Sequence, residues 1–379
     1  MARRWSSHDR LTAATATTSS QSSTRAPITS ARRPARDPSL DALRGLAVLG
    51  MLLVNLPGDA QVTFPLLAHA PWHGLTLADL VFPAFLVAVG LAVARAGRPA
   101  IDAVLRRTLG LLVIGIALGV ALNPSLAFDE LRWPGVLQRI GIVYLVCALV
   151  ARASVGPLMP LGLAACLLVA HTLLILMIAA PGEALPSLAP GEGVSGWLDR
   201  QLLPGRLHRQ TYDPEGFLST FPAIASGLLG VSAGRGAETL ARQTAMAISC
   251  IALGLAMSVV LPLNKTLWTA SFALVTTGIA LLVWLSLIAG SRGAFFRGLL
   301  DLLASIGQTA LTIYVMHMLL IAVMIRTWNG ETTWDRLFAL FAVLSPAPAI
   351  NSLAFAISLT LGCAAIALLL LRRNVRLRL

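Results

Sequence analysis

Two histidines four residues apart, His69 and His73, sit in a segment reading Leu67-Ala-His69-Ala-Pro-Trp72-His73-Gly74, which carries no lysine or arginine. Imidazole titrates close to neutral pH, so this segment can supply a base or a proton shuttle. Trp72 can stack on a sugar or anchor the loop at a lipid–water boundary. From residue type alone, His69 reads equally as a catalytic base or as a surface residue, and His73 could support either role. The pair has metal-ligand spacing, but no third ligand follows, so no metal is expected. Asp79 opens the next apolar stretch, where an N-cap is needed. Asn55 closes the preceding one, just before Leu56-Pro57-Gly58, which stops a helix.

Other polar groups fall where lipid makes them costly, and each is therefore a candidate for function. Asp41 and Arg44, three apart in Ser39-Leu-Asp-Ala-Leu-Arg-Gly45, share a helical face. They read as a local ion pair or as a cation facing a phosphorylated ligand. Gln138 and Arg139 begin a later apolar stretch, where a snorkelling arginine would be ordinary. Arg206, His208, Arg209, Tyr212, Asp213 and Glu215 close a long polar segment, 181–215, which suits a sugar or is a solvated loop. Lys265 and Trp268 read most simply as interfacial anchors, and Tyr314 with His317, one turn apart, as a buried hydrogen-bonded pair. The four cysteines fall inside apolar runs without ligand or disulfide spacing.

The elements that must position these groups are membrane helices. Of 379 residues, 56% are hydrophobic and 12% charged, and the mean hydropathy is +0.78. Soluble domains carry about 25% charged residues. Apolar runs long enough to cross ~30 Å of hydrocarbon recur along the chain, and in lipid such runs must be helical. Spans are expected near 40–56, 79–96, 105–122, 136–152, 157–180, 216–234, 244–262, 267–290, 300–326 and 350–371, giving an all-α polytopic bundle of about ten spans. Residues 1–38, Arg- and Ser/Thr-rich, read as a disordered basic tail, residues 39–371 as the membrane domain and 372–379 as a second basic tail. Alternating the loops puts 20 of the 29 basic residues on the side of the N-terminus. Arg-rich loops stay in the cytoplasm, so both termini are expected inside, in a multi-pass protein of the cell inner membrane. The net charge of +12 follows from this asymmetry and needs no nucleic-acid partner.

Several segments, in order, resemble the heparan-α-glucosaminide N-acetyltransferase family of membrane acyltransferases and its bacterial relatives. They are Ser39-Leu-Asp-Ala-Leu-Arg-Gly45, Val54-Asn55, His69-Ala-Pro-Trp-His-Gly74, Ala78-Asp-Leu-Val-Phe-Pro83, Arg132-Trp-Pro-Gly-Val-Leu-Gln-Arg139, Tyr212-Asp-Pro-Glu-Gly-Phe-Leu-Ser-Thr220 and Leu263-Asn-Lys-Thr-Leu-Trp-Thr-Ala-Ser271. From Asn329 onward the resemblance is one of hydropathy only. It implies transfer of an acetyl group from cytoplasmic acetyl-CoA to an amine on the far side, with His69 as the catalytic histidine. Asn55 aligns as an orienting or oxyanion-side group. Charge and side nominate Arg44, Arg106 and Arg107 for the phosphates of acetyl-CoA. Trp72, His73, Asp79, Arg139, Asp213 and Glu215 are the candidates for the acceptor. The family's lysosomal members carry a large domain before the first span; here a smaller amino sugar or glycan of the cell envelope is the expected acceptor. Self-association into a homo-oligomer stays open. The rival class is a secondary transporter or flippase using Asp41, Arg44, Arg139 and His317, although no internal repeat supports it.

Overall fold

A computed structural model describes residues 37–235, 239–291, 293–377 and 379; the expected disordered tail lies, up to Arg36, outside the described residues. Because lipid offers the backbone no partners, each apolar stretch closes its own hydrogen bonds as a helix. The helices are α1 (Pro38–Asn55), α2 (Leu77–Ala96), α3 (Ile101–Leu122), α4 (Val136–Ala153), α5 (Leu158–Met177), α6 (Gly193–Leu202), α7 (Thr220–Arg235), α8 (Leu240–Ser258), α9 (Ala270–Gly290), α10 (Ala294–Gly307), α11 (Ala310–Met324), α12 (Thr333–Ala339) and α13 (Pro348–Arg372). Strands β1 (Thr327–Trp328) and β2 (Glu331–Thr332) form a small antiparallel hairpin between α11 and α12. Among the described residues, eight helices are long and apolar enough to cross a membrane.

Two of the ten expected spans take a different form. The segment near 300–326 is not one continuous helix but α10 and α11, bent by 63° across Gln308 and Thr309, and counts as a ninth span if the pair is taken together. The segment near 216–234 is α7, sixteen residues long, with every residue from Pro222 to Ala233 buried. It packs against α2, α4, α5 and α9, at the centre of the bundle. Its length is short for a lipid-facing span, but protein rather than lipid surrounds it.

Helix starts are encoded locally. Pro38 occupies the first turn of α1, where its missing N–H costs nothing, and the Asp37 carboxylate accepts from Ser39 N at 2.9 Å and Ser39 Oγ at 2.5 Å. Asp37 also pairs with Arg95 of α2 at 2.7 Å, and the Arg95 guanidinium lies 4.8 Å from the Trp284 ring of α9. The Trp284 indole in turn donates to Ser39 Oγ. One arginine-rich end of the bundle is thereby tied together across three helices.

Between helices, small residues bring backbones into contact, since van der Waals packing rather than water exclusion joins helices in lipid. On α2, a Cβ at Gly90 would overlap the Gly227 carbonyl of α7, and one at Gly230 would stand 2.5 Å from the Val87 carbonyl oxygen. Gly45 of α1 and Gly307 of α10 interlock likewise against each other's helix backbone. By contrast, Gly162 on α5 has nothing within 4 Å of such a Cβ. Gly90→Ala is therefore expected to destabilise the protein by about 1–3 kcal/mol, read as a lowered thermal midpoint in detergent. Gly162→Ala should leave the midpoint unchanged or raised. Equal midpoints for the two variants would contradict the backbone contact.

Candidate active site

The long connections gather at one end of the bundle, where α1, α3, α5, α8 and α11 finish and α2, α4, α7, α9 and α13 begin. Asp79 lies in the first turn of α2 with its side chain 1% exposed. The helix begins one turn earlier than an N-cap at Asp79 requires: Thr76 is the cap and Asp79 stands at the third helical position. The Asp79 Oδ2 atom accepts from Ala70 N at 3.1 Å, Thr76 N at 3.2 Å and Thr76 Oγ1 at 3.0 Å. A buried carboxylate held by three donors on one oxygen has the other free to act.

That second oxygen meets His69, whose Nδ1 lies 2.8 Å from Asp79 Oδ1. A carboxylate can only accept, so Nδ1 carries the proton and the imidazole lone pair sits on Nε2. The His69 side chain is 46% exposed, so the ring is reachable from outside while its orienting partner is not. Lys265, in the turn between α8 and α9, completes the group. Its Nζ lies 3.1 Å from His69 Nδ1, 3.3 Å from His69 Nε2 and 3.4 Å from Asp79 Oδ1. Burial lowers the proton affinity of Lys265 below that of an ordinary lysine, against the opposing charges of Asp79 and Glu215. Lys265 is thus not a plain interfacial anchor.

Neighbouring contacts set the height of this turn. Asn264, fully buried, donates through Nδ2 to Trp72 O at 3.0 Å and approaches His73 Nδ1 at 3.2 Å, while its Oδ1 accepts from Leu267 N. Gly74 N donates to Leu263 O at 2.8 Å. Trp268 adopts a left-handed φ of 51° and is wholly buried, its indole donating to Ser226 Oγ of α7. A β-branched or bulky residue pays for such a backbone, and here the indole's burial and hydrogen bond hold it there. Trp72 donates to Leu188 O at 2.8 Å and meets Tyr212 edge-on at 5.3 Å, joining the histidine loop to the 178–219 connection.

A second charged cluster is built around Arg132. Arg132 donates to Asp213 Oδ2 at 2.8 Å and Oδ1 at 2.6 Å, and to Glu215 Oε2 at 2.5 Å. Burial alone would raise the Asp213 carboxyl, but the two Arg132 bonds outweigh it and hold it below the usual range. The same ion pairs hold Arg132 protonated more firmly than usual, against burial. Asp199 of α6 accepts from Asp213 N at 3.0 Å and Phe217 N at 2.8 Å; burial pushes its carboxyl up to about 6. Arg139 does not snorkel. It is 1% exposed, donating to Ser219 Oγ at 2.6 Å and Gly216 O at 3.2 Å, with its guanidinium 5.4 Å from the Trp268 ring.

The sequence-nominated residues thus separate into groups. His69 and Asp79 are in contact, and Trp72 and His73 lie on the same loop beside Asn264. Asp213 is taken up by Arg132, and Arg139 is enclosed. Asn55 is exposed, its Nδ2 lying 3.5 Å from His317 Nε2, and the structure pairs it with that residue rather than with His69. Tyr314 and His317 meet edge-on at 5.1 Å instead of through a hydrogen bond between side chains. At the opposite end, Arg44 pairs with Asp41 at 3.1 Å, and Arg107 lies 4.7 Å from the Tyr144 ring, with Arg106 beside it on α3. Lys265 and Asn264 were missed as site residues. The signal was present: one lysine among 28 arginines.

A sequence profile of the family described as heparan-alpha-glucosaminide N-acetyltransferase, catalytic, matches residues 36–266. The chain belongs to this family. The matched region contains His69, Asp79 and, at its end, Lys265. The chain is similar to heparan-alpha-glucosaminide N-acetyltransferase of Homo sapiens, with 29% identity over 361 residues, covering 73% of this chain and 53% of the human protein. It is also similar to the Mus musculus protein of that name, at 28% over 357 residues with the same coverage. The chain spans about half the length of the curated relatives it matches.

The Arg132–Asp213 pair carries its own prediction. A carboxyl held below its ordinary value of 3.8 adds stability that is present above that pH and is lost as pH falls through the folded value. Acid titration below about pH 4 should loosen the loop cap, followed as tryptophan fluorescence. Arg132→Met strands the buried Asp213 charge and should destabilise by about 3–5 kcal/mol. A variant as stable as wild type would show that the pair holds nothing.

Proposed function

We propose that the protein is a membrane-embedded N-acetyltransferase. It would move the acetyl group of cytoplasmic acetyl-CoA to an amine, of the amino-sugar class, at the loop-rich end of the bundle outside the cytoplasm. The observation that carries this reading is the His69–Asp79 contact in a chain of this family: a carboxylate that fixes the imidazole tautomer leaves the basic lone pair on Nε2, in a side chain 46% exposed.

An amine attacks a thioester only as its free base, and the nitrogen must shed a proton once the C–N bond has formed. In this reading the amine nitrogen bonds to the thioester carbon, and the carbonyl π pair moves onto oxygen. His69 Nε2 takes the nitrogen's proton, and the resulting imidazolium is held by the Asp79 carboxylate. Collapse of the intermediate re-forms the carbonyl, breaks the C–S bond and expels the CoA thiolate, which receives the proton from His69. The alternative order, in which Nε2 first accepts the acetyl group and then passes it to the amine, uses the same two side chains.

The basic residues at the opposite end, Arg44, Arg106 and Arg107, are the proposed neighbours of the CoA phosphates, supported by charge and by the arginine bias of that side. That bias also supports both termini inside the cytoplasm of an inner membrane. Against a transporter, one pair of apolar helices among the described residues is sharply bent at a short break, without a matched second break of the kind inverted-repeat transporters use.

The test is CoA release by purified protein in lipid discs given acetyl-CoA and glucosamine. His69→Ala and Asp79→Asn should each lower amine-dependent release by about 10²–10⁴-fold, with acetyl-CoA binding retained. Undiminished release from His69→Ala would remove the base. Neither release nor acetyl-CoA binding in wild-type protein would favour the transporter.

A further inference from the structure

A thioester carbonyl under attack becomes an oxyanion, and a group must meet that charge at a distance of about 2.7–3.1 Å. We propose that Lys265 is that group: its ammonium stands beside His69 to receive the oxyanion of the acetyl group. This rests on the acetyl-transfer reading above.

The geometry supports it in two ways. Reacting atoms approach within about 3–3.5 Å of each other, and Lys265 Nζ is 3.3 Å from His69 Nε2. A carbonyl carbon brought to a nucleophile at Nε2 can therefore present its oxygen to Nζ. The ammonium is also anchored, by Asp79 Oδ1 at 3.4 Å, without being enclosed, its side chain being 25% exposed.

The other groups around it are unsuited. Asp79 and Glu215 are anions. Arg139, though within electrostatic reach of Lys265, is buried under Trp268. His73 faces Asn264, and the Asn55 amide is turned toward His317.

The assignment has a pH consequence. Burial and Arg139 lower the proton affinity of Lys265, while Asp79 and Glu215 raise it, and the balance is downward. Rising pH should thus strip the cation, and the rate with it, before an ordinary lysine would titrate.

The experiment compares kcat for CoA release against pH in wild type, Lys265→Met, Lys265→Arg and Lys265→Cys, each checked for its thermal midpoint and acetyl-CoA binding. Lys265→Met should lose about 10²–10³-fold in kcat with the KM for acetyl-CoA little changed. Lys265→Arg, whatever its residual kcat, should lose the alkaline fall, because a guanidinium stays charged throughout that range. Lys265→Cys alkylated with 2-bromoethylamine, which restores an ammonium, should regain activity, whereas alkylation with iodoacetamide should not. Wild-type protein treated identically controls for the exposed Cys166. A wild-type kcat in Lys265→Met, an alkaline fall that survives in Lys265→Arg, or a folded aminoethylated protein that stays inactive would each overturn the assignment alone. No amine-dependent release from wild type with any amino sugar would remove the acetyl-transfer reading, and this assignment with it.

Discussion

A carboxylate 1% exposed at the first turn of a membrane helix must have its charge answered from within the protein. Asp79 is that carboxylate, and much of the loop-rich end is arranged around it. One oxygen collects donors from the histidine loop and from the start of its own helix. The other collects His69 and Lys265, which lie 196 residues apart in sequence. If the Asp79 charge were removed, the imidazole would lose its orienting partner and the lysine its anchor together. The helix-start geometry contributes too, because backbone N–H groups in a first turn have no intrahelical partner and favour an anion there.

Asp79 can hold this position only because α2 itself is held. The glycines of α2 and α7 let two backbones touch, and α7 in turn carries Ser226, which receives the Trp268 indole. Trp268 closes the turn that presents Lys265. A line of contacts therefore runs from the middle of the bundle to the ammonium: helix backbone, serine, indole, turn, lysine. The second layer, Arg132 with Asp213 and Glu215, fastens the 178–219 connection over the same end, and Trp72 with Leu188 ties it to the histidine loop. The polar loops are thus tied to one another and to the helix ends at these points, while Arg206, His208 and Arg209 between them stay exposed.

The two ends of the molecule differ in what their charges do. At the loop-rich end they face one another in the protein. At the other end several arginines bind carbonyls and rings of neighbouring helices: Arg235 to Ala151 and Ser154, Arg152 to Pro99, and Arg95 to Trp284. The arginine bias that orients a membrane protein here also fastens helix ends, so a count of basic residues alone overstates how many are open to a ligand's phosphates.

The sequence by itself determined the helical membrane class, because a long apolar run in lipid has no other way to satisfy its backbone. It also determined most helix positions, through apolar run length and stops such as Leu56-Pro57-Gly58, and the family, through short motifs kept in order. Within the site it nominated His69 through the family motif, residue type alone leaving it equally a surface residue, and it offered Asp79 as a helix cap or acceptor contact rather than as the partner of His69. Only the tertiary structure decided which polar groups meet. Lys265 is 196 residues from His69, and nothing in the local pattern of either segment encodes their contact. Nor could hydropathy show that α10 and α11 bend apart, or that α7 is enclosed by protein. In lipid, both faces of a helix are apolar, so the periodicity that reveals a buried face in water is missing. Which face turns inward is decided by where glycines and small side chains let backbones close.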